Sequence, residues 1–325
     1  MNHSIEHIGK LIEDRLQALD IPKHPSSLYD PVRYTLSLGG KRIRPSLVLL
    51  STGLCDGEVE SALDLAMGIE MLHNFTLIHD DIMDHADTRR GKECVHIKWD
   101  EPTAILAGDV LFTLAVQQIT LFEPGSDAAQ KALGTFLESV KKVCEGQALD
   151  MEFQDKEQVG LDAYLTMIRL KTAELMECSM ALGALAARAD EKNVKNSAAV
   201  GYHAGMAFQI QDDILDVIGD PQKTGKKVGG DIMEGKKTYL SVLATERADD
   251  TNRLILKDLS AQKDIGEEDV LRISRMYHSL GVIDEGIKDI SLHYEKALGF
   301  LDEFPKNDFY YEIKRVLDKL KVRDY

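Results

Sequence analysis

The chemistry in this chain gathers in two five-residue stretches, Asp80-Asp81-Ile82-Met83-Asp84 and Asp212-Asp213-Ile214-Leu215-Asp216. On a helix, residues four apart share a face at roughly 6 Å, so Asp80 can act with Asp84 and Asp212 with Asp216, with Asp81 and Asp213 beside them. Carboxylates crowded at a helix C-terminus repel one another and oppose the helix dipole, so each cluster costs stability until something positive binds. A hard divalent cation is the natural partner. Magnesium takes one or two carboxylates and completes its octahedron with water and phosphate oxygens. One acidic helix end is an ordinary surface feature, but two such motifs suit helices whose acidic faces look at each other across a cavity and clamp a diphosphate.

The cations fit that reading. Gly39-Gly40-Lys41-Arg42-Ile43-Arg44-Pro45 sets three positive charges at a glycine-marked helix entry, and Arg89-Arg90-Gly91-Lys92 follows closely after the first acidic motif. Lys171-Thr172 interrupts an otherwise apolar helical face. Arginine grips phosphate bidentately and lysine acts as a point charge, so these clusters offer local phosphate sites in a chain whose formal net charge is -16. That overall charge argues against nucleic acid as a partner. The glycine- and lysine-rich stretch 219–237 cannot continue as a helix and reads either as a surface turn or as a phosphate-grasping flap.

The elements that must position these groups are helical. Apolar residues recur three or four apart over 61–84, 103–121, 127–153, 161–189 and 194–218, and amphipathic helices resume from 239 to 325. Alternating strand patterns are scarce, and Pro31, Pro45, Pro102 and Pro124 each stand where a helix starts or has just ended. With 325 residues, 44% of them hydrophobic and 29% charged, the chain can bury a large core. No repeat or low-complexity linker divides it, so one all-α domain over 1–325 is expected. We expect no apolar run long enough to span a bilayer and no signal peptide. The four cysteines, Cys55, Cys94, Cys144 and Cys178, lack a CxxC pair, and reduced thiols of a cytoplasmic protein are the natural reading.

The motifs GGKRIRP, HNFTLIHDDIMD followed by DTRRG, GQALDMEF, Lys171-Thr172, GMAFQIQDDILDVIGD and GKKVGGDIMEGKKT occur in this order. Together they resemble the trans-type polyprenyl synthetases of the farnesyl and geranylgeranyl diphosphate synthase group, densely over 39–238. The resemblance implies an isoprenoid-synthase fold, a single-domain bundle of long helices around a deep central cavity, working as a homodimer. It implies condensation of isopentenyl diphosphate with dimethylallyl, geranyl or farnesyl diphosphate through an allylic carbocation, with three magnesium ions per active site. Asp80, Asp84 and Asp212 become the metal ligands. Asp80, Asp81, Asp84, Asp212, Asp213, Asp216, Lys171 and Gln209 form the catalytic set. Lys41, Arg44, His73 and Arg90 fall to isopentenyl diphosphate, and Arg89, Lys171, Thr172, Gln209, Lys226 and Lys236 to the allylic partner.

For His73 the helix register concurs, because it precedes Asp80 by seven residues, two turns along one face. The resemblance also implies that Phe75, about 7.5 Å along the helix from Asp80, and the small Thr76 after it set product length at fifteen or twenty carbons. An ideal helix turns Phe75 about 140° away from Asp80, however, so ordinary core packing is the competing expectation. A terpene cyclase and a non-catalytic regulatory subunit of a prenyltransferase heteromer are the alternatives. The cyclase leaves Lys41, Arg44 and Arg90 without a purpose, and the subunit sits poorly with two intact acidic motifs.

Overall fold

The computed structural model describes residues 4–219, 229–260 and 265–321. Among these the architecture is all-α, with a hairpin of Thr88–Arg89 and Lys92–Glu93 as the sheet. The chain forms two compact units, Met1–Val140 with Leu175–Ala198 and Asp302–Ile313, and Lys141–Glu174 with Ala199–Leu301 and Lys314–Tyr325.

The first unit opens with α1 (Ile5–Gln17), α2 (Ser26–Ser37), α3 (Ile43–Leu54), α4 (Leu63–Met83), α5 (Val95–Lys98) and α6 (Glu101–Leu121). Their starts follow local chemistry. The Asp100 carboxylate accepts from the Thr103 N–H at 2.8 Å, and Pro102 sits in the first turn of α6, where its missing N–H is no loss. Pro31 departs from expectation, because it lies inside α2 rather than at its start. α4 packs along α6, and glycines allow the approach: a side chain on Gly68 would strike Ile119, and one on Gly108 would strike the His79 ring. α3 is buried from Pro45 to Leu54, its Ser51 hydroxyl lying 2.6 Å from both Met180 O and Ser197 Oγ.

α6 overturns one expectation. It is long and apolar enough to cross a membrane by length and composition, although no such run was foreseen. Ala104, Ala107, Leu111, Ala115 and Ile119 form its buried stripe, whereas Ile105, Leu106 and Leu121 are 41%, 56% and 52% exposed.

The second unit is reached along α7 (Asp127–Gln154) and contains α8 (Leu161–Ile168), and the chain then returns to the first unit through a π-helical turn, Arg169–Ala173, into α9 (Glu174–Ala186). The helix expected over 161–189 is therefore interrupted where Lys171 and Thr172 stand. α10 (Glu191–Ile218) carries the second acidic motif. After it come α11 (Gly230–Met233), α12 (Tyr239–Arg247), α13 (Asp250–Ser260), α14 (Glu267–Ser279), α15 (Val282–Leu301) and α16 (Asp308–Lys321). Thr238 and Ser241 cap α12 reciprocally. Of the expected flap, 220–228 and with it Lys226 lie outside the described residues; the remainder is α11 between turns at Gly229 and Gly235, both with positive φ. All four cysteines are free thiols.

Candidate functional site

The acidic motifs belong to different units, and both divide their labour in the same way. In the first unit Asp80 begins α4's last turn and Asp84 caps the helix, both half-buried. Asp81 is buried and accepts from Arg89 Nε at 2.8 Å and from a second Arg89 N–H. Burial together with a hydrogen bond to Asp81 pushes the neighbouring Cys94 thiol up to about 12.

The hairpin explains how Arg89 and Arg90 part company. Thr88 pairs with Glu93 and Arg89 with Lys92, and the two-residue turn between them places Arg90 and Gly91 at φ 55° and 74°. Positive φ at both positions is the type I′ geometry that matches strand twist. Arg89 therefore reaches Asp81, while Arg90 donates to the Gly39 carbonyl. Gly40, at φ 140°, leaves room for it, since a Cβ there would lie 2.9 Å from the Arg90 guanidinium.

The three cations of the GGKRIRP loop differ in fate. Arg42 is buried, donating to Glu70 at 2.5 Å, Glu13 at 2.8 Å and Leu36 O at 3.0 Å, so it holds the loop. Lys41 is exposed. Arg44 lies 3.2 Å from His73 Nε2; a guanidinium can only donate, so His73 accepts there and carries its proton on Nδ1. Burial, and then the charges of Arg44, Arg90, Arg89 and Arg42, hold the His73 imidazole well below its ordinary range and keep it neutral. Burial also lowers Arg44 to about 10, still charged at neutral pH, and its buried Nε has no hydrogen-bond partner among the described residues. Arg44, His73 and Arg90 thus share one positive neighbourhood with a donor to spare, which suits an anion. Thr76 donates to His73 O at 2.8 Å, and the Phe75 ring packs on His79 and Phe112 with centroids 4.7 and 5.5 Å away.

In the second unit Asp212 and Asp216 are half-buried one turn apart. Asp213 between them is buried and accepts from the Tyr164 hydroxyl, from Tyr239 N at 2.8 Å and from Gln209 Nε2 at 2.9 Å. Burial raises Asp213 to about 7 against the pull of those three donors. Gln209 Oε1 in turn accepts from the Thr172 hydroxyl at 2.9 Å. Lys171, beside Thr172 on the π-helical turn, pairs with Asp150 at 2.6 Å. Such turns recur where a helix must present a functional group. Gly146 lets α7 press against it, because a Cβ there would meet the Lys171 backbone and stand 2.7 Å from the Leu170 carbonyl carbon. Asp216 accepts from Asp231 N at 3.1 Å and its carbonyl from Gly229 N at 2.6 Å, which anchors the start of α11; Lys236 pairs with Glu234 at 2.8 Å.

Tyr164, Asp150 and Glu70 were missed by sequence reasoning. Asp150 stood in the GQALDMEF motif, and Tyr164 precedes Lys171 by seven residues, two turns away. Among the described residues no three metal-binding side chains converge. A magnesium ion that needs only one or two protein carboxylates does not require such a cage, and the outer aspartates of each motif, half-buried hard oxygen donors at one-turn spacing, fit it.

Comparison with known proteins bears on these features together. A sequence model of the polyprenyl synthetase family matches residues 25–277. The chain is similar to a geranylgeranyl pyrophosphate synthase of Geoglobus acetivorans, 34% identical over 99% of this chain and 98% of the relative. It is also similar to a geranylgeranyl diphosphate synthase of Saccharolobus solfataricus, 39% identical over 83% of this chain and 87% of the relative. A crystal structure of geranylgeranyl pyrophosphate synthetase from Pyrococcus horikoshii Ot3 superposes with a TM-score of 0.94 at 35% identity, covering 98% of this chain and 97% of that one. Full-length likeness at this level leaves one assignment: this chain belongs to the polyprenyl synthetase family.

Proposed function

We propose that this protein is a prenyltransferase that condenses isopentenyl diphosphate with allylic diphosphates to a twenty-carbon product. The observation that carries the reading is the parallel build of the acidic motifs, each with its middle aspartate buried and pinned by protein donors and its outer pair half-buried one turn apart. Asp80 and Asp84, and Asp212 in the other motif, are the groups that would hold magnesium, at three ions per active site. Magnesium supplies the positive charge that neutralises a departing diphosphate.

The chain's own residues do the remainder. Arg44, Arg90 and Lys41 hold isopentenyl diphosphate, and neutral His73 adds its Nδ1–H as a donor. Arg89, Lys171, Thr172, Gln209, Lys226 and Lys236 serve the allylic partner, whose carbon–oxygen bond breaks to leave a carbocation for the isopentenyl double bond to attack. The Gln209 and Thr172 dipoles face developing positive charge, and the released diphosphate takes the proton lost at the end. No protein nucleophile is needed.

Product length rests on the single aromatic Phe75, packed against Phe112, and on the names of the relatives above. We read 1–325 as one functional domain, supported by a family match that runs through segments of both units. A homodimer is supported by the apolar outer side of α6, which a second copy would cover. The free thiols support a cytoplasmic setting. The test is incubation of the purified protein with labelled isopentenyl diphosphate, magnesium and each allylic primer in turn, followed by chromatography. Labelled prenyl diphosphate ending at twenty carbons is expected, and no incorporation with any primer overturns the assignment.

A further inference from the structure

Behind α11 the second unit contains a cavity of about 400 Å³, within the range of small-molecule sites. Its floor is apolar, made by Val159, Ile232, Val242, Leu256, Ile273 and the buried ring of Tyr277. Its rim is polar and mainly cationic. Lys236, Lys237, Arg253 and Lys257 line it against the carboxylates of Glu157 and Asp250, in a chain whose net charge is -16. Leu254, also in the lining, is 61% exposed, so an apolar surface continues from the interior to the mouth. Lys236, assigned above to the allylic partner, reaches its rim, but none of Asp212, Asp213, Asp216, Lys171, Thr172 and Gln209 is among its lining residues.

We propose that this cavity is a second binding site for an amphiphilic anion, an apolar chain seated on the floor with a phosphate or diphosphate head on the lysine and arginine rim. Desolvation of a chain by the floor and charge attraction at the rim act on opposite ends of one molecule, so neither an apolar ligand nor a free phosphate satisfies both. The Lys257–Glu157 pair at the rim is exposed and opens at little cost. Occupancy bears on the second acidic motif. Ile232 belongs to α11, whose Asp231 N–H holds the Asp216 carboxylate at 3.1 Å, and Gly229, which donates to Asp216 O, abuts Val270 of α14. A ligand that shifts α11 or α14 therefore moves the backbone that fixes Asp216. On the prenyltransferase reading the product itself belongs to this chemical class, which makes the site a route for feedback; binding is read separately from turnover.

The experiment is calorimetric titration of the full-length protein with dodecyl phosphate, with magnesium and inorganic diphosphate saturating. Saturable binding at one site per chain is expected. Thr245→Trp, which fills the cavity from its wall, and Leu254→Asp, which charges the exposed mouth, should each weaken it by about tenfold or more. Turnover in both variants should stay within about twofold of the parent. Because Leu254 is exposed, its variant keeps the test decisive should the tryptophan prevent folding. Dodecanoate should bind about tenfold more weakly than dodecyl phosphate. Equal affinity of the two overturns the phosphate head, and unchanged dodecyl phosphate affinity in a folded variant, or no binding to the parent, overturns the site. A parent that binds dodecyl phosphate but incorporates no isopentenyl unit refutes the activity and leaves the site standing.

Discussion

Replacing Arg42 by methionine separates structural from functional charge within one loop. Burial opposes the charge of Arg42, but Glu70 and Glu13 more than restore it, and the Arg42 and Glu70 side chains are 5% and 2% exposed. Arg42→Met strands the Glu70 carboxylate with Asn74 Nδ2, 2.9 Å away, as its remaining side-chain donor in the described contacts. Breaking a buried pair from one side costs about 3–5 kcal/mol. The orphaned Leu36 carbonyl adds about 1 kcal/mol, and the half-exposed Glu13 contact contributes less than about 1 kcal/mol. Backbone strain at Arg42, φ 46°, is common to both proteins and cancels. The double variant Arg42→Met/Glu70→Leu removes both charges and should recover most of the loss, to within about 2 kcal/mol of the parent. The assay is guanidinium unfolding followed by circular dichroism, reading the midpoint at constant slope. Lys41→Met, one residue away and exposed, should change stability by less than about 0.5 kcal/mol while lowering kcat/KM. A double variant no more stable than Arg42→Met alone, or a Lys41 variant equally unstable, refutes the assignment of Arg42 to the loop's framework.

Three further outcomes are expected. Tyr164→Phe removes a donor to buried Asp213 and should cost about 1–3 kcal/mol at alkaline pH. Because folding raises Asp213 from about 3.9 to about 7, its stabilising contribution is complete below the first value and lost as pH rises through the second. The Tyr164→Phe deficit should accordingly grow between unfolding measurements at about pH 5 and about pH 8, and a deficit independent of pH refutes the link. His73 should show by nitrogen NMR a neutral ring protonated at Nδ1 from about pH 6 to 8. Its depressed affinity gives stability that is present above about pH 6.5 and lost as pH falls toward the folded value; an imidazolium signal near neutrality counts against the geometry. Phe75→Ala should lengthen the product by at least one isoprene unit, and an unchanged chain length by chromatography removes Phe75 from that role.

Much of the frame was legible because long helices write their period into the chain. The reading of 61–84 became Leu63–Met83, and that of 194–218 became the C-terminal part of Glu191–Ile218. Periodicity fixes a face and not a depth, which is why Asp80, Asp81 and Asp84 could be placed together but the burial of Asp81 alone could not. The same limit hid the different fates of Lys41, Arg42 and Arg44: a left-handed residue turns Arg42 inward, and nothing in a run of cations signals it. The hairpin at 88–93 is too short for any alternation to appear, although Arg90-Gly91 carries the glycine that its turn favours. Pro31 inside α2 and the exposed side of α6 escaped for the opposite reason, because composition gives residue types and packing decides where they go. Tyr164 lay in plain view, but a tyrosine on an apolar helix announces burial and not its hydroxyl's partner.

Gly146 offers no functional atom, yet the turn that aims Lys171 rests directly on its α-carbon. A saturation scan scored by catalysis should rank this position beside the lysine itself, with alanine already harmful and larger residues worse. Anyone inferring the active centre from such a scan would be led to a blank spot on α7, and would be right about its importance while finding nothing there that touches substrate.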